Sequence, residues 1–197
     1  MNSSILKYIP KSAKNYLTDI LSEERISLIV KKERKTKHGD FRVLKTGECQ
    51  ITINSNLNPF RFLITLIHEI AHYKAYKRYK RKIRPHGKEW KEIYKYLMLP
   101  LLNPNIFPKE LLPYLSSYIK NPKASTDTDF NLSLALRLYD SNKEKKYIFE
   151  ITNGSRFKIY NGRVFMLEEK LRKRYKCKEV VSGKTYLFNP NAEIQLV

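Results

Sequence analysis

At 197 residues with 42% hydrophobic content, the chain can hold one fair-sized domain, or one domain and a small appendage, and is not disordered. Its 39 Lys and Arg against 19 Asp and Glu leave a net charge of +20, which attracts polyanions and makes nucleic acid the leading partner class. A membrane partner is excluded at this level, because there is no run of about 18 apolar residues and no amphipathic or lipidated anchor.

In chain order, Pro10 opens a first helix over 10–21, with Ala13, Tyr16, Leu17, Ile20 and Leu21 as its apolar stripe. The start lacks the apolar core of a signal peptide, which predicts a cytoplasmic protein. Ile26 to Lys31 alternates apolar and polar as a strand does. Lys35 to Asp40 reads as a turn, with His38 a turn residue, and leads to strands over Phe41 to Leu44 and Cys49 to Ile53.

Asn58 and Pro59 then cap and open a helix in which Phe60, Ile64, Ile67 and Ala71 recur at helical spacing. Inside it lies His68-Glu69-Ile70-Ala71-His72, an H-E-x-x-H stretch. Residues four apart share a helix face, so both imidazoles can reach one metal ion, with Glu69 beside it to take a proton from a water the ion polarises. A third ligand from a separate segment would leave one tetrahedral position open, the catalytic arrangement. His86 is a candidate, and Glu89 or Glu92 on the following helix is the competing scheme. The metzincin pattern is absent, since Ala75 and Arg78 stand where it requires Gly and His.

The same helix runs out into Lys74, Lys77, Arg78, Lys80, Arg81, Lys82 and Arg84, with Tyr73, Tyr76 and Tyr79 interleaved. Such a run suits a helix C-terminus, and it also suits phosphates with tyrosines for base stacking. Lys77, Arg78, Lys80, Arg81, Lys82 and Arg84 are therefore candidate nucleic-acid contacts. A further helix carries Trp90, Ile93, Tyr94, Leu97 and Met98 on one face.

These elements predict an α+β fold with a zincin-like core: a helix, a small three-stranded antiparallel sheet and the H-E-x-x-H helix. The H-E-x-x-H stretch, the downstream His86-Gly87-x-x-Trp90 and the preceding helix and strands resemble the SprT-like metalloproteases, relatives of eukaryotic Spartan, over roughly 5–100. The resemblance implies one zinc held by His68, His72 and His86, Glu69 as general base, and DNA-dependent cleavage of proteins, notably those crosslinked to DNA.

Prolines punctuate the chain after Met98, and Leu111 to Ile119 suggests one more helix. The expected organisation is a SprT-like protease domain over 1–122, a linker with a short helix over 123–145, and a small β module over 146–197. In the module, strands are predicted over 147–151, 156–160, 163–167, 174–181 and 185–188, split by Asn153-Gly154, Asn161-Gly162 and Ser182-Gly183 turns. SprT-like proteins often end in a zinc ribbon, which this stretch resembles in spacing. It holds one cysteine, Cys177, and no histidine, so it should fold without metal around Phe149, Phe157, Phe165, Tyr175, Tyr186 and Phe188. Zinc is then expected at one ion per chain. Lys173 and Arg174, in a second basic run, are further candidate nucleic-acid contacts.

Two functions from different classes follow. One is a zinc endopeptidase acting on DNA-bound proteins. The other is a nucleic-acid-binding protein whose metal site is structural or vestigial. Glu69 favours the enzyme, because a structural site needs no carboxylate there.

Overall fold

The computed structural model describes residues 5–80, 82–141 and 145–197. The chain divides into two compact units, one of Met1–Ala124 with Leu138–Asp140 and one of Ser125–Arg137 with Ser141–Val197. Among the described residues no helix is long and apolar enough to cross a membrane.

The first unit is built on a three-stranded sheet, β1 (Ile26–Lys31), β2 (Gly39–Val43) and β3 (Cys49–Asn54), in the order β1-β3-β2. The sheet is mixed, not antiparallel: β3 runs antiparallel to β2 and parallel to β1. The reason lies in β3, which is buried at every residue from Gln50 to Asn54 and so takes the middle of the sheet. A tight turn, with Gly47 N–H donating to Leu44 O at 2.9 Å, sets β2 on one flank, leaving β1 the other. Up, down and up in sequence then become two same-direction neighbours in space. The alternation of β1 fixed its faces but carried no information about its partner.

The segment crossing from β1 to β2 fills the polar face of the sheet. Arg34 donates from Nε to Asn54 Oδ1 and from Nη1 to Thr52 Oγ1, each at 2.8 Å, and also pairs with Asp40. Asn54 Nδ2 answers by donating to the Arg34 and Lys37 carbonyls. The opposite face, with Leu28, Ile51 and Ile53 buried, lies against the long helix.

After α1 (Lys14–Leu21), that helix is α2 (Pro59–Tyr79), buried almost all round because the sheet covers one side and α3 (Lys88–Met98) the other. Asn58 caps it, its side chain accepting from Arg61 N–H at 2.9 Å while Nδ2 donates to Asp140 at 2.6 Å. Glu24 clasps the other end by accepting from the Tyr73 hydroxyl, Lys74 and Lys77. Burial works to raise the Glu24 pKa, but these donors win and hold it down at about 2. Tyr16 ties α1 to α3 by donating to Leu97 O at 2.9 Å, and α4 (Leu112–Lys120) packs on α3.

The second unit combines α5 (Phe130–Arg137) with a six-stranded sheet in the order β4-β9-β5-β6-β7-β8. Its strands are β4 (Lys146–Tyr147), β5 (Arg156–Lys158), β6 (Val164–Lys170), β7 (Tyr175–Glu179), β8 (Thr185–Phe188) and β9 (Glu193–Leu196). Two expectations change here. The strand over 147–151 shrinks to β4, because Ile148–Glu150 form a 3-10 turn closed by the Glu150 side chain accepting from Tyr147 N–H. Unforeseen β9 pairs with both β4 and β5, its short E-I-Q-L stretch too brief to announce itself. The buried core is Ile148, Phe157, Phe165, Leu167, Tyr175, Cys177 and Ile194, with Phe149, Tyr186 and Phe188 packed against it half-buried.

Replacing Asn58 by Ala should reduce unfolding free energy by about 1–2 kcal/mol, since α2 loses its N-cap acceptor. Urea denaturation measures this, and Asn58→Ser should recover most of the loss; equal stability of all three proteins would dismiss the capping role.

Candidate metal centre

His68 and His72 stand one turn apart on the α2 face turned towards α3, as their i, i+4 spacing requires. The third imidazole arrives through a turn. Gly87 N–H donates to Arg84 O at 2.9 Å, Pro85 occupies the second position, and His86 the third with φ 59°. That is the pattern of a type II turn, in which a side chain at the third position is strained by roughly 1 kcal/mol or more. Gly87 also has to be glycine, since a Cβ there would meet Arg84 O at 2.9 Å.

The result is convergence of the three Nε2 atoms. They lie 3.1 Å apart for His68 and His86, 3.2 Å for His68 and His72, and 2.9 Å for His72 and His86. Three imidazole lone pairs aimed at one point repel unless a cation or proton sits among them. Tetrahedral zinc with bonds of about 2.1 Å sets its ligand nitrogens about 3.4 Å apart, so the triangle fits such an ion with a small expansion. Together His68, His72 and His86 could hold a metal ion, and among the described residues neither Glu89 nor Glu92 joins the group.

Burial, reinforced by the neighbouring imidazoles, holds His68 down at about 2 and His72 at about 3, and burial with Lys91 lowers His86 as well. The three imidazoles are thus uncharged at neutral pH, the charge state that a metal needs.

The Glu69 carboxylate reaches β2, where it accepts from Phe41 N–H. Burial pushes its pKa up to about 8, Asp40 adds to the rise, and Phe41 N–H, Arg34 and Lys37 pull against it. The fit is close. A Cβ on Gly39 would come within 2.8 Å of Thr65 Cγ2 and 3.0 Å of Glu69 Cγ and Oε1. Gly39 opens β2 instead of closing the preceding turn, and its missing side chain admits the carboxylate. A glycine just before a strand was the available signal, and it was read as turn punctuation.

These groups line an open cleft of about 590 Å³ bounded by β2, α2, Lys80 and the 83–86 stretch. A profile of the SprT-like family matches residues 6–106. The chain belongs to the SprT-like family. No curated protein matches it. Membership points to a metalloprotease-type function, and the matched stretch contains the whole three-histidine cluster of this SprT-like chain.

The basic candidates fall into different settings. Lys77 is engaged by Glu24 at 2.9 Å. Arg78 lies over the Tyr79 ring and Lys80 over Tyr76, while Lys80 and Arg84 border the cleft and Lys82 is exposed. Arg81 lies outside the described residues. Lys173 and Arg174 are exposed in the second unit, at the β6–β7 hairpin tip closed by Leu171 N–H donating to Arg174 O.

The lowered imidazole pKa values have a consequence for stability. A histidine kept neutral when folded contributes fully above its unfolded value of 6.5, and that contribution is lost as pH falls below it. Metal-stripped protein should therefore lose stability from about pH 7 to about pH 5, with His72 responsible for about 1–2 kcal/mol of the drop. Urea midpoints of His72→Gln at both pH values test this, and an unaltered slope would refute it.

Proposed function

We propose that this protein is a zinc-dependent endopeptidase acting on DNA-associated or DNA-crosslinked proteins. The observation that carries the reading is the convergence of the three Nε2 atoms, within 3.2 Å of one another, at the wall of an open cleft that also holds Glu69. His68, His72 and His86 would hold the zinc at the wall of this cleft. Bound there, zinc acidifies a water and polarises a peptide carbonyl.

The chain's own residues do the rest. Glu69 takes the water's proton and passes it to the leaving amine, held for both tasks by Phe41 N–H and the close packing of Gly39. Strand β2 is an edge of its sheet and lines the cleft, so an extended substrate can add to it through main-chain hydrogen bonds. We read the first unit as a zincin-like core. The second unit reads as a ribbon-like module whose metal ligands have given way to apolar packing. Cys177, its one thiol, is fully buried and pushed up to about 12, chiefly by burial. The reading is thus one zinc per chain.

DNA is the proposed recruiter on the strength of the +20 charge and of Lys80, Lys82 and Arg84, exposed along the connection from α2 to α3. A cytoplasmic location agrees with a nucleic-acid partner. The alternative, a nucleic-acid-binding protein with a vestigial metal site, leaves a buried carboxylate beside three convergent imidazoles without a task.

The deciding experiment incubates purified protein with a DNA-binding protein, with and without DNA. Wild type should carry one zinc and cleave when DNA is present, whereas Glu69→Gln keeps the zinc and slows by ~10²–10⁴. Equal digestion by both would remove Glu69 from the mechanism, and no digestion by wild type would leave the binding protein.

Binding to duplex DNA should weaken steeply with salt, and replacing Lys80, Lys82 and Arg84 together by Ser should flatten the log–log slope by up to ~0.9 per lost phosphate contact. A slope that stays put would return these cations to the solvent.

A further inference from the structure

Metal-ligating histidines ordinarily donate their second ring nitrogen to a carboxylate, carbonyl or water, which fixes the ring's orientation. Among the described residues, the three imidazoles here make hydrogen-bond-range contacts only with one another. What all three share is an aromatic neighbour. The Trp90 ring centroid lies 4.5 Å from His68, 5.1 Å from His72 and 4.8 Å from His86. Trp90 in turn stacks on Tyr94 at 5.1 Å and 8°, and Tyr94 meets Tyr118 of α4 edge-on at 6.4 Å. Trp90 and Tyr94 are both fully buried.

The pillar is an odd way to fill a core. Among the described residues, the indole N–H and the Tyr94 hydroxyl are buried without a hydrogen-bond partner, and phenylalanine would avoid both orphans. A planar ring that meets the three imidazoles at 58°, 32° and 73° does what a branched aliphatic side chain cannot, because one rigid plane touches all three at once. Its position is set by sequence, since Trp90 lies in the first turn of α3, four residues after His86, and precedes Tyr94 by one helical turn.

We infer that Trp90 is a positioning residue for the metal: it orients the three ligand imidazoles by ring contact, in the place usually taken by hydrogen-bond acceptors. This rests on the zinc reading above, but its test needs no protease assay. Metal-stripped protein is titrated with zinc against a competing chelator, and with cobalt, whose visible absorption reports coordination geometry. Trp90 is the chain's one tryptophan, so its emission should also change as the site fills.

Trp90→Leu, apolar but not flat, should bind zinc about 10–100-fold more weakly and alter the cobalt spectrum. Trp90→Phe should recover most of the affinity. Leu97→Ala, a buried change on the same helix away from the ligands, should lower the melting temperature and leave affinity and spectrum untouched. Native affinity and spectrum in Trp90→Leu, or equal losses in Trp90→Leu and Leu97→Ala, would overturn the inference. Absence of any metal binding by wild type would overturn the zinc reading and this one with it. Should Trp90→Leu not fold, the Phe variant decides: native-like cobalt absorption supports ring contact, and loss equal to that of a deleted ligand, His86→Ala, refutes it.

Discussion

Three imidazole nitrogens within about 3 Å of each other are the constraint on which the first unit depends. Such a cluster is electrostatically unfavourable without a cation, and it is made from segments with no covalent reason to meet. Two nitrogens are fixed by the pitch of α2, which stays helical through the site because sheet and α3 bury it on both sides. The third depends on a strained His86 at the head of α3. That strain persists because the Arg84–Gly87 hydrogen bond, the proline before it and the Trp90 ring in the first turn of α3 all hold the same conformation. The two anchors at the ends of α2, Asn58 and Glu24, keep the helix from sliding relative to its neighbours.

Much of this was legible in the sequence, for physical reasons. H-E-x-x-H specifies its own geometry, because helical spacing alone sets the two imidazoles and the carboxylate relative to each other. Pro85-His86-Gly87 announces a turn, and the amphipathic stripe from Trp90 to Met98 announces the helix after it. The dyad alternation of β1 and β3 likewise identified strands.

The rest depended on long-range choices that local pattern does not encode. Whether β1 pairs with β2 or β3 is decided by which strand is most buried, a property of the assembled layers and not of any window of residues. The fit of Gly39 against Glu69 joins residues thirty apart in sequence. Strands β4 and β9, with two and four residues, are held by each other and by β5, so neither has an independent signal. The second core takes Phe157, Phe165 and Tyr175, as the aromatic pattern predicts, and equally Ile148, Leu167 and Ile194, aliphatic residues whose burial follows from strand pairing across the whole sheet.

The mixed sheet has a chemical consequence. An antiparallel meander would put β2 in the middle, with both of its main-chain edges paired. In the observed order β2 is an edge strand, and its register with β3 decides which groups stay free. Hydrogen bonds join Asn54 N–H to His38 O and Leu44 N–H to Glu48 O, at alternate pairs of one ladder. Gly39, Phe41 and Val43 fall on the intervening pairs, so their N–H and C=O groups point outward from β3. Phe41 N–H is the one that Glu69 uses. The outward groups of Gly39 and Val43 flank it along the cleft, at the spacing of an extended chain. On the proposed reading, one strand edge therefore holds the base in position and offers hydrogen bonds to the substrate on either side of it. Burial of β3 at the centre of the sheet is what leaves that edge unpaired.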